Sequence, residues 1–166
     1  MLGEIIGMMV KITGAFLAIY SFAILLETPR TYIFCCGIMG AISGFAFLLA
    51  EKMGVSVVSA SFVSALVAAL AAHIFARVLK TPVTIFLIAG ILPTVPGNGM
   101  YQIVHYIVLG DESRVGYYLT QTLEIAGVIA LAIFVVDSIF QAFQKGDWKQ
   151  NSMIYNSKNS SIKEKD

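Results

Sequence analysis

The stretch VTIFLIAGILPTVPGNGMYQIVHYIVL, residues Val83 to Leu109, decides how this chain folds. It is apolar over enough residues to cross roughly 30 Å of hydrocarbon as a helix. Its middle, however, reads Leu92-Pro93-Thr94-Val95-Pro96-Gly97-Asn98-Gly99. Each proline inside a helix deletes a backbone hydrogen bond and each glycine adds backbone freedom, and hydrocarbon holds no water to satisfy the carbonyls set free. Such a break must face protein or a wet cavity. One proline is explained by a packing kink. Two prolines separated by two residues and followed by Gly-Asn-Gly go beyond a kink and point to a discontinuous helix whose half-helix ends offer N–H and C=O groups to a ligand. Pro93, Thr94, Pro96, Gly97, Asn98 and Gly99 are therefore candidate substrate-binding residues. The helix is expected to restart at Met100, with Tyr101 and Gln102 extending the site; Asn98, Gln102 and Tyr106 share one stripe, with Tyr101 and His105 beside it. Gly110-Asp111 is expected to end this helix and turn the chain.

Outward from this segment, the whole chain has the same character. Hydrophobic residues make up 58% of it and charged residues 13%, against about 25% charge in an average soluble domain, and mean hydropathy is +0.82. The fold class is all-α, a polytopic integral membrane protein. Five stretches are long enough to span: Ile5 to Leu26, Tyr32 to Ala50, Val55 to Phe75, Val83 to Leu109 and Tyr117 to Phe143. The fourth is broken over Pro93 to Gly99. Residues 1–143 thus form a five-span domain, and residues 144–166, rich in Ser, Asn and Lys, read as a flexible polar cytoplasmic tail with Trp148 near the interface. Lys or Arg is absent before the first apolar run, which exceeds a signal-peptide core, so that run is expected to stay as the first span. Short connections imply antiparallel neighbours, and Thr81-Pro82 reads as an N-cap followed by proline at the first helical position of the fourth span.

Charge matters here through its placement. A net charge of +1 points to no nucleic-acid partner. Arg30, Arg77, Lys80, Lys145 and Lys149 fall on one side of the alternating topology, followed by Lys158, Lys163 and Lys165. Lys52 and Arg114 fall on the other side with Glu4, Glu51, Asp111 and Glu112. The positive-inside rule then places the N-terminus outside and the C-terminus in the cytoplasm of a cell membrane.

The remaining polar and small residues divide by role. Gly37, Gly40 and Gly44 lie along one side of the second span, and Ala60, Ser64, Ala68 and Ala72 form a ridge on the third, so these two faces are expected to pack on each other. Ser59, Ser61 and Ser64 are expected to bond back to their own helix carbonyls. Cys35 and Cys36 read as small packing residues rather than as a disulfide or metal pair. Lys11 and Glu124 both fall about seven residues, or roughly 10 Å, below the outer surface, where they could form a structural ion pair or, less simply, a gate or proton-coupling pair. His105 is a further candidate proton relay. His73 and Asp137, near the cytoplasmic ends of their helices, read as interfacial anchors. No cofactor or metal is implied, and no internal repeat is visible. Ala41-Ile42-Ser43-Gly44 and Val108-Leu109-Gly110-Asp111 only partly match intramembrane serine and aspartyl protease motifs, so an enzyme is not expected.

The run Ala89 to Tyr101, with its Pro-x-x-Pro-Gly core in the fourth of five spans, resembles the signature of the threonine/serine exporter family. Chain size and the Lys80-Thr81-Pro82 approach are similar to ThrE-type short-chain members, and the resemblance covers nearly everything but the tail. Pro93, Pro96, Gly97 and Tyr101 match its pattern best, whereas Lys11, Glu124 and His105 correspond to no motif of it. The resemblance implies secondary export of small polar metabolites, threonine and serine foremost, coupled to the proton gradient. It also implies a larger partner subunit that supplies five more spans and a cytoplasmic domain. Succinate export by the same two-subunit assembly is the alternative substrate reading, and a non-transporting scaffold that stabilises a partner is the alternative of a different class. In the transport reading a zwitterionic amino acid would place its carboxylate on the N–H groups of Asn98 and Gly99 and its ammonium on carbonyls near Leu92 and Pro93.

Overall fold

With no water to compete for the backbone, each apolar segment satisfies its own N–H and C=O groups as an α-helix. The structure is a computed structural model; it describes the backbone of residues 2–163 and the side chains of residue 3 and residues 6–142. Six helices follow in order: α1 (Leu2–Leu25), α2 (Arg30–Lys52), α3 (Val57–Leu79), α4 (Val83–Ile91), α5 (Gly97–Leu109) and α6 (Glu112–Lys163), with a 3-10 turn over Leu92–Thr94 between α4 and α5. The parts of α1, α2, α3 and α6 that are long and apolar enough to cross a membrane are Ile6–Leu25, Arg30–Lys52, Val57–Leu79 and Glu112–Ala142. The α4 unit, Val83–Thr94, and α5 pass the same test together, bent by 51°. The expected polar tail falls on residues whose side chains, and for 164–166 the backbone also, lie outside the described residues.

The bent pair is a complete crossing. Near its start, α6 shares a cavity with the start of α3, lined by Ser56, Val57, Val58, Gly116, Tyr117, Thr120, Gln121 and Glu124. Near the other end, His73 of α3 meets Asp137 of α6. The two helices therefore run parallel, and the segment joining the end of α3 to the start of α6 must traverse the full thickness. α4 and α5 do so between them, giving five crossings.

Helix ends correct two details of the sequence reading. α4 has Pro82 itself as its N-cap, with no side-chain capping bond, so proline sits one position earlier than expected and Thr81 does not cap. α5 begins at Gly97, with Pro96 as N-cap; the helix resumes three residues before Met100, because Gly97, Asn98 and Gly99 take up helical geometry as its first turn. Gly110 ends α5 in the left-handed region at φ 75°, as expected. Gly54 turns the chain after α2 at φ 79°, while on the opposite side of the bundle the left-handed positions are held by Glu27 (φ 54°) and Lys80 (φ 51°).

Small residues set the packing, though with partners the sequence pattern did not identify. The glycine face of α2 lies on α1: a Cβ at Gly37 would press into the Phe16 ring, one at Gly40 would overlap Ile19, and one at Gly44 would touch Ala15. The ridge of α3, where Ala60, Ser64, Ala68 and Ala72 are fully buried, receives the rest of α2 and α4. Ala68 sits against Gly90 of α4, and the Ser64 hydroxyl donates across the interface to Ser43 O at 2.7 Å instead of to its own helix. Ser61 does bond back, to Val57 O at 2.8 Å, and Ser59 pairs with Ser56 at the start of α3. One core joins Ile19, Ala23, Cys36, Met39, Ala72, Ala76, Phe86 and Ala89. A second joins Ala65 of α3 to Ile125, Ile129 and Ala132 of α6. Cys35 and Cys36 are free thiols within this packing. α5 differs from every other α-helix in having no buried residue, and α6 is the only helix on which it packs extensively.

Candidate functional site

Proline chemistry explains the geometry of the break. Pro96 has no N–H to return to Pro93, and the Gly97 N–H, next in line, turns instead to Val95 O at 2.7 Å. The Pro93 carbonyl is left without a recorded partner among the described residues. Val95 N–H closes the 3-10 turn on Leu92 O at 3.3 Å, and the Thr94 hydroxyl donates to Ile91 O at 2.7 Å, so the end of α4 is held while the chain changes direction. On the other side of the bend, Met100 N–H reaches Pro96 O at 3.1 Å. The N–H groups of Asn98 and Gly99, in the first turn of α5, have no recorded protein partner, as helix N-termini require unless a side chain caps them. Free donors and a free acceptor thus lie a few residues apart.

The residues that carry these groups line a cavity of about 240 Å³, together with Phe47 of α2, Val57 and Ser61 of α3, the rest of Pro93 to Gly99, and Tyr118, Gln121, Thr122 and Ile125 of α6. The lining contains no charged side chain. Six of the eight residues expected from sequence, Pro93, Thr94, Pro96, Gly97, Asn98 and Gly99, are brought together here. Tyr101 and Gln102 are not among the lining residues; Tyr101 is exposed and stacks on His105 further along α5, with ring centroids 5.9 Å apart. The lining residues contributed by α6 were invisible to motif reading, since a polar residue in an apolar helix carries no spacing signal. The site also lies nearer the α3-start side of the bundle than the middle: Val57 and Ser61 belong to the first turns of α3, and α5, bent by 51°, advances less along the bundle than its length of about 20 Å.

The structure does not unite Lys11 with Glu124. Lys11 borders a cavity with Gly7, Met8, Leu48, Glu51 and Lys52, and Glu124 borders a different one between α3 and α6. α1 and α6 are not extensive neighbours. His105 sits in an aromatic cluster toward the C-terminal end of α5 rather than in the cavity, with Tyr106 beside it at 5.3 Å. Tyr106 in turn stacks on Tyr118 at 5.5 Å and accepts a hydrogen bond from Arg114 Nη1 at 2.8 Å, and Arg114 pairs with Asp111 at 3.2 Å. The cavity-lining Tyr118 is thereby anchored to the surface.

At the opposite end, two residues expected to act separately form a pair. His73 Nε2 lies 2.6 Å from Asp137 Oδ1, and the imidazole stacks on Phe140 with centroids 4.1 Å apart and planes 3° from parallel. Arg77 stands over the same Phe140 ring at 5.3 Å. Since the imidazole is buried, Asp137→Ala would strand its Nε2, an effect worth about 1–3 kcal/mol. Thermal unfolding of the purified protein in detergent should show a clear loss for Asp137→Ala and a smaller one for Asp137→Asn, which keeps an acceptor oxygen; equal melting of all three proteins would dismiss the pair as a stabilising contact.

Comparison with known proteins bears directly on this geometry. The family model described as "Threonine/Serine exporter, ThrE" matches residues 11–139, which takes in the break and every residue that lines the cavity. The chain belongs to the threonine/serine exporter family. No curated protein and no solved structure matches it. Family membership, with five apolar crossings, makes it a multi-pass membrane protein with an exporter role.

Proposed function

We propose that this chain is one subunit of a secondary exporter of small polar metabolites, threonine and serine foremost, with the broken fourth span as its substrate site. One observation carries this reading: an uncharged cavity lined by Pro93, Asn98 and Gly99, whose carbonyl and helix N-terminal N–H groups have no hydrogen-bond partner among the described residues. A zwitterion matches that arrangement, with its carboxylate at the positive end of α5 and its ammonium at the Pro93 carbonyl. The Leu92 carbonyl, already engaged by Val95, is the poorer acceptor of the two. A dicarboxylate such as succinate would bring two negative charges to a lining with no cation, and Lys11 stands at another cavity. Proton coupling and a larger five-span partner with a cytoplasmic domain belong to the same proposal. The position of α5, packed extensively on α6 alone, supports a second set of helices completing the site. The proposed orientation places the N-terminus outside and the C-terminus in the cytoplasm of the cell membrane, which opens the off-centre cavity nearer to the exterior.

The test is uptake and efflux in proteoliposomes holding both subunits, with and without a pH gradient, and with sided labelling of a cysteine at position 54 to report orientation. Threonine or serine should move, faster with the gradient. Movement of succinate alone would transfer the assignment to dicarboxylates, and movement of neither in correctly assembled complexes would leave the scaffold reading.

A further inference from the structure

Six polar or charged residues are buried among the described side chains: Ser43, Ser61, Ser64, His73, Thr94 and Thr122. Five have partners. Ser43 donates to Gly40 O, Ser61 to Val57 O, Ser64 to Ser43 O and Thr94 to Ile91 O, and His73 pairs with Asp137. Thr122 Oγ1 alone is buried with no hydrogen bond. A threonine within a helix has a ready acceptor in the carbonyl one turn back, and Thr120 on the same helix uses it, donating to Gly116 O at 3.0 Å. Leaving a hydroxyl unsatisfied away from water costs about 1–3 kcal/mol. Such an orphan in a native structure asks for an occupant that the chain itself does not supply.

Its surroundings say which kind. Thr122 lines the cavity at the break, and a Cβ placed on Gly99 would fall on its oxygen. Glycine at 99 is therefore the condition for the hydroxyl to stand against the first turn of α5. The Asn98 and Gly99 N–H groups of that turn can only donate, and they lie at the positive end of a helix of 13 residues. We propose that Thr122 is a third donor in a cradle for a single carboxylate, formed with the N–H groups of Asn98 and Gly99. The inference rests on the break being the substrate site and names the substrate group held there, together with a specificity-determining residue on a different helix. In the present conformation the first turn of α5 covers the hydroxyl. Having no buried residue of its own, α5 can ease away from α6 at the bend, so that a carboxylate entering the cradle also sets the separation of the two helices.

The full chain, labelled with ¹⁵N-glycine and ¹⁵N-asparagine and held in lipid nanodiscs, allows the cradle to be probed without transport. Sodium acetate, titrated against sodium chloride at matched ionic strength, should shift the Asn98 and Gly99 amide resonances saturably, and acetamide should do so far less. Thr122→Ser should bind acetate within about twofold of the native chain, and the near-isosteric Thr122→Val should bind about fivefold more weakly or worse. An unchanged acetate affinity in Thr122→Val, or an equal response to chloride, would overturn the proposal. So would unresponsive Asn98 and Gly99 amides in a spectrum that otherwise shows the folded chain. The two readings fail separately. Acetate binding in a complex that transports nothing would remove the exporter assignment and leave the cradle, whereas threonine export with an unchanged KM in Thr122→Val would remove the cradle and leave the exporter.

Discussion

Replacing Pro96-Gly97 by Ala-Ala should lower export by on the order of tenfold or more, equivalent to about 1.4 kcal/mol in the limiting barrier, while the protein accumulates normally. The reasoning turns on what the pair prevents. Proline is about 3 kcal/mol less favourable than alanine in a helix interior and glycine about 1 kcal/mol, so the substitution favours a continuous helix. In that helix residue 97 would return its N–H to Pro93 O, which removes the free acceptor, and the Asn98 and Gly99 N–H groups would find partners in the preceding turn. The 51° bend would relax and carry α5 off α6, undoing the Tyr106–Tyr118 stack and the approach of Gly99 to Thr122. Local helix stability rises as the site is lost. Efflux from cells loaded with a threonine-containing dipeptide, normalised to protein level, is the measurement; undiminished efflux would show that the break is a packing device.

Gly40→Leu should be the most damaging single substitution to assembly. A Cβ at this position would overlap Ile19 Cγ1, lie 2.7 Å from Ile19 Cβ and approach Ala15 O to 3.2 Å. The last of these is backbone and cannot rotate aside. Forcing extra carbons into a packed contact costs typically about 1–3 kcal/mol, and here the whole α1–α2 interface must part to admit them. The neighbouring glycines provide internal controls. Gly44→Ala meets only Ala15 Cβ, at 3.1 Å, and Gly14→Ala meets nothing within 4 Å, so both should be mild. Melting of detergent-purified variants followed by size-exclusion should rank Gly40→Leu far below Gly44→Ala and Gly14→Ala; indistinguishable melting would mean α1 does not rest on this face.

These two positions also mark how far the sequence could be read. The five crossings and the break were legible because hydrocarbon thickness fixes length and because proline and glycine act locally. Depth was legible too: His73 and Asp137, each read near the same end of its helix, meet in the structure. Lateral neighbours were not. Gly40 and Gly44 announce a close-packed face without naming α1 over α3, and Lys11 and Glu124, matched in depth, stand on helices that are not extensive neighbours. The same gap hid Thr122, whose significance depends on Gly99 lying opposite it and on a hydrogen bond that it fails to make. Proline and glycine mark the segment that breaks the helix, whereas nothing in the sequence of α6 marks the wall facing it; Tyr101 and Gln102, grouped with the break by their position in sequence, stand outside the cavity lining.

The left-handed lysine at the end of α3 has a consequence of another kind. A residue with a Cβ in that conformation gives up roughly 1–2 kcal/mol that a glycine would keep, and Gly54 and Gly110 show that this chain uses glycine in turns elsewhere. At Lys80 it does not. Glycine there would make a more relaxed folded protein, but one with a positive charge fewer in the loop between α3 and α4. In the folded bundle that charge stands at the C-terminal end of α3, where it complements the negative end of the helix dipole. In a nascent chain it has a second use, since loop charge biases which way a hairpin enters the bilayer before any helix has packed. Lys80 thus holds, at a backbone cost that a glycine would not bear, a charge that the helix end favours and that, on the proposed orientation, the positive-inside rule favours too.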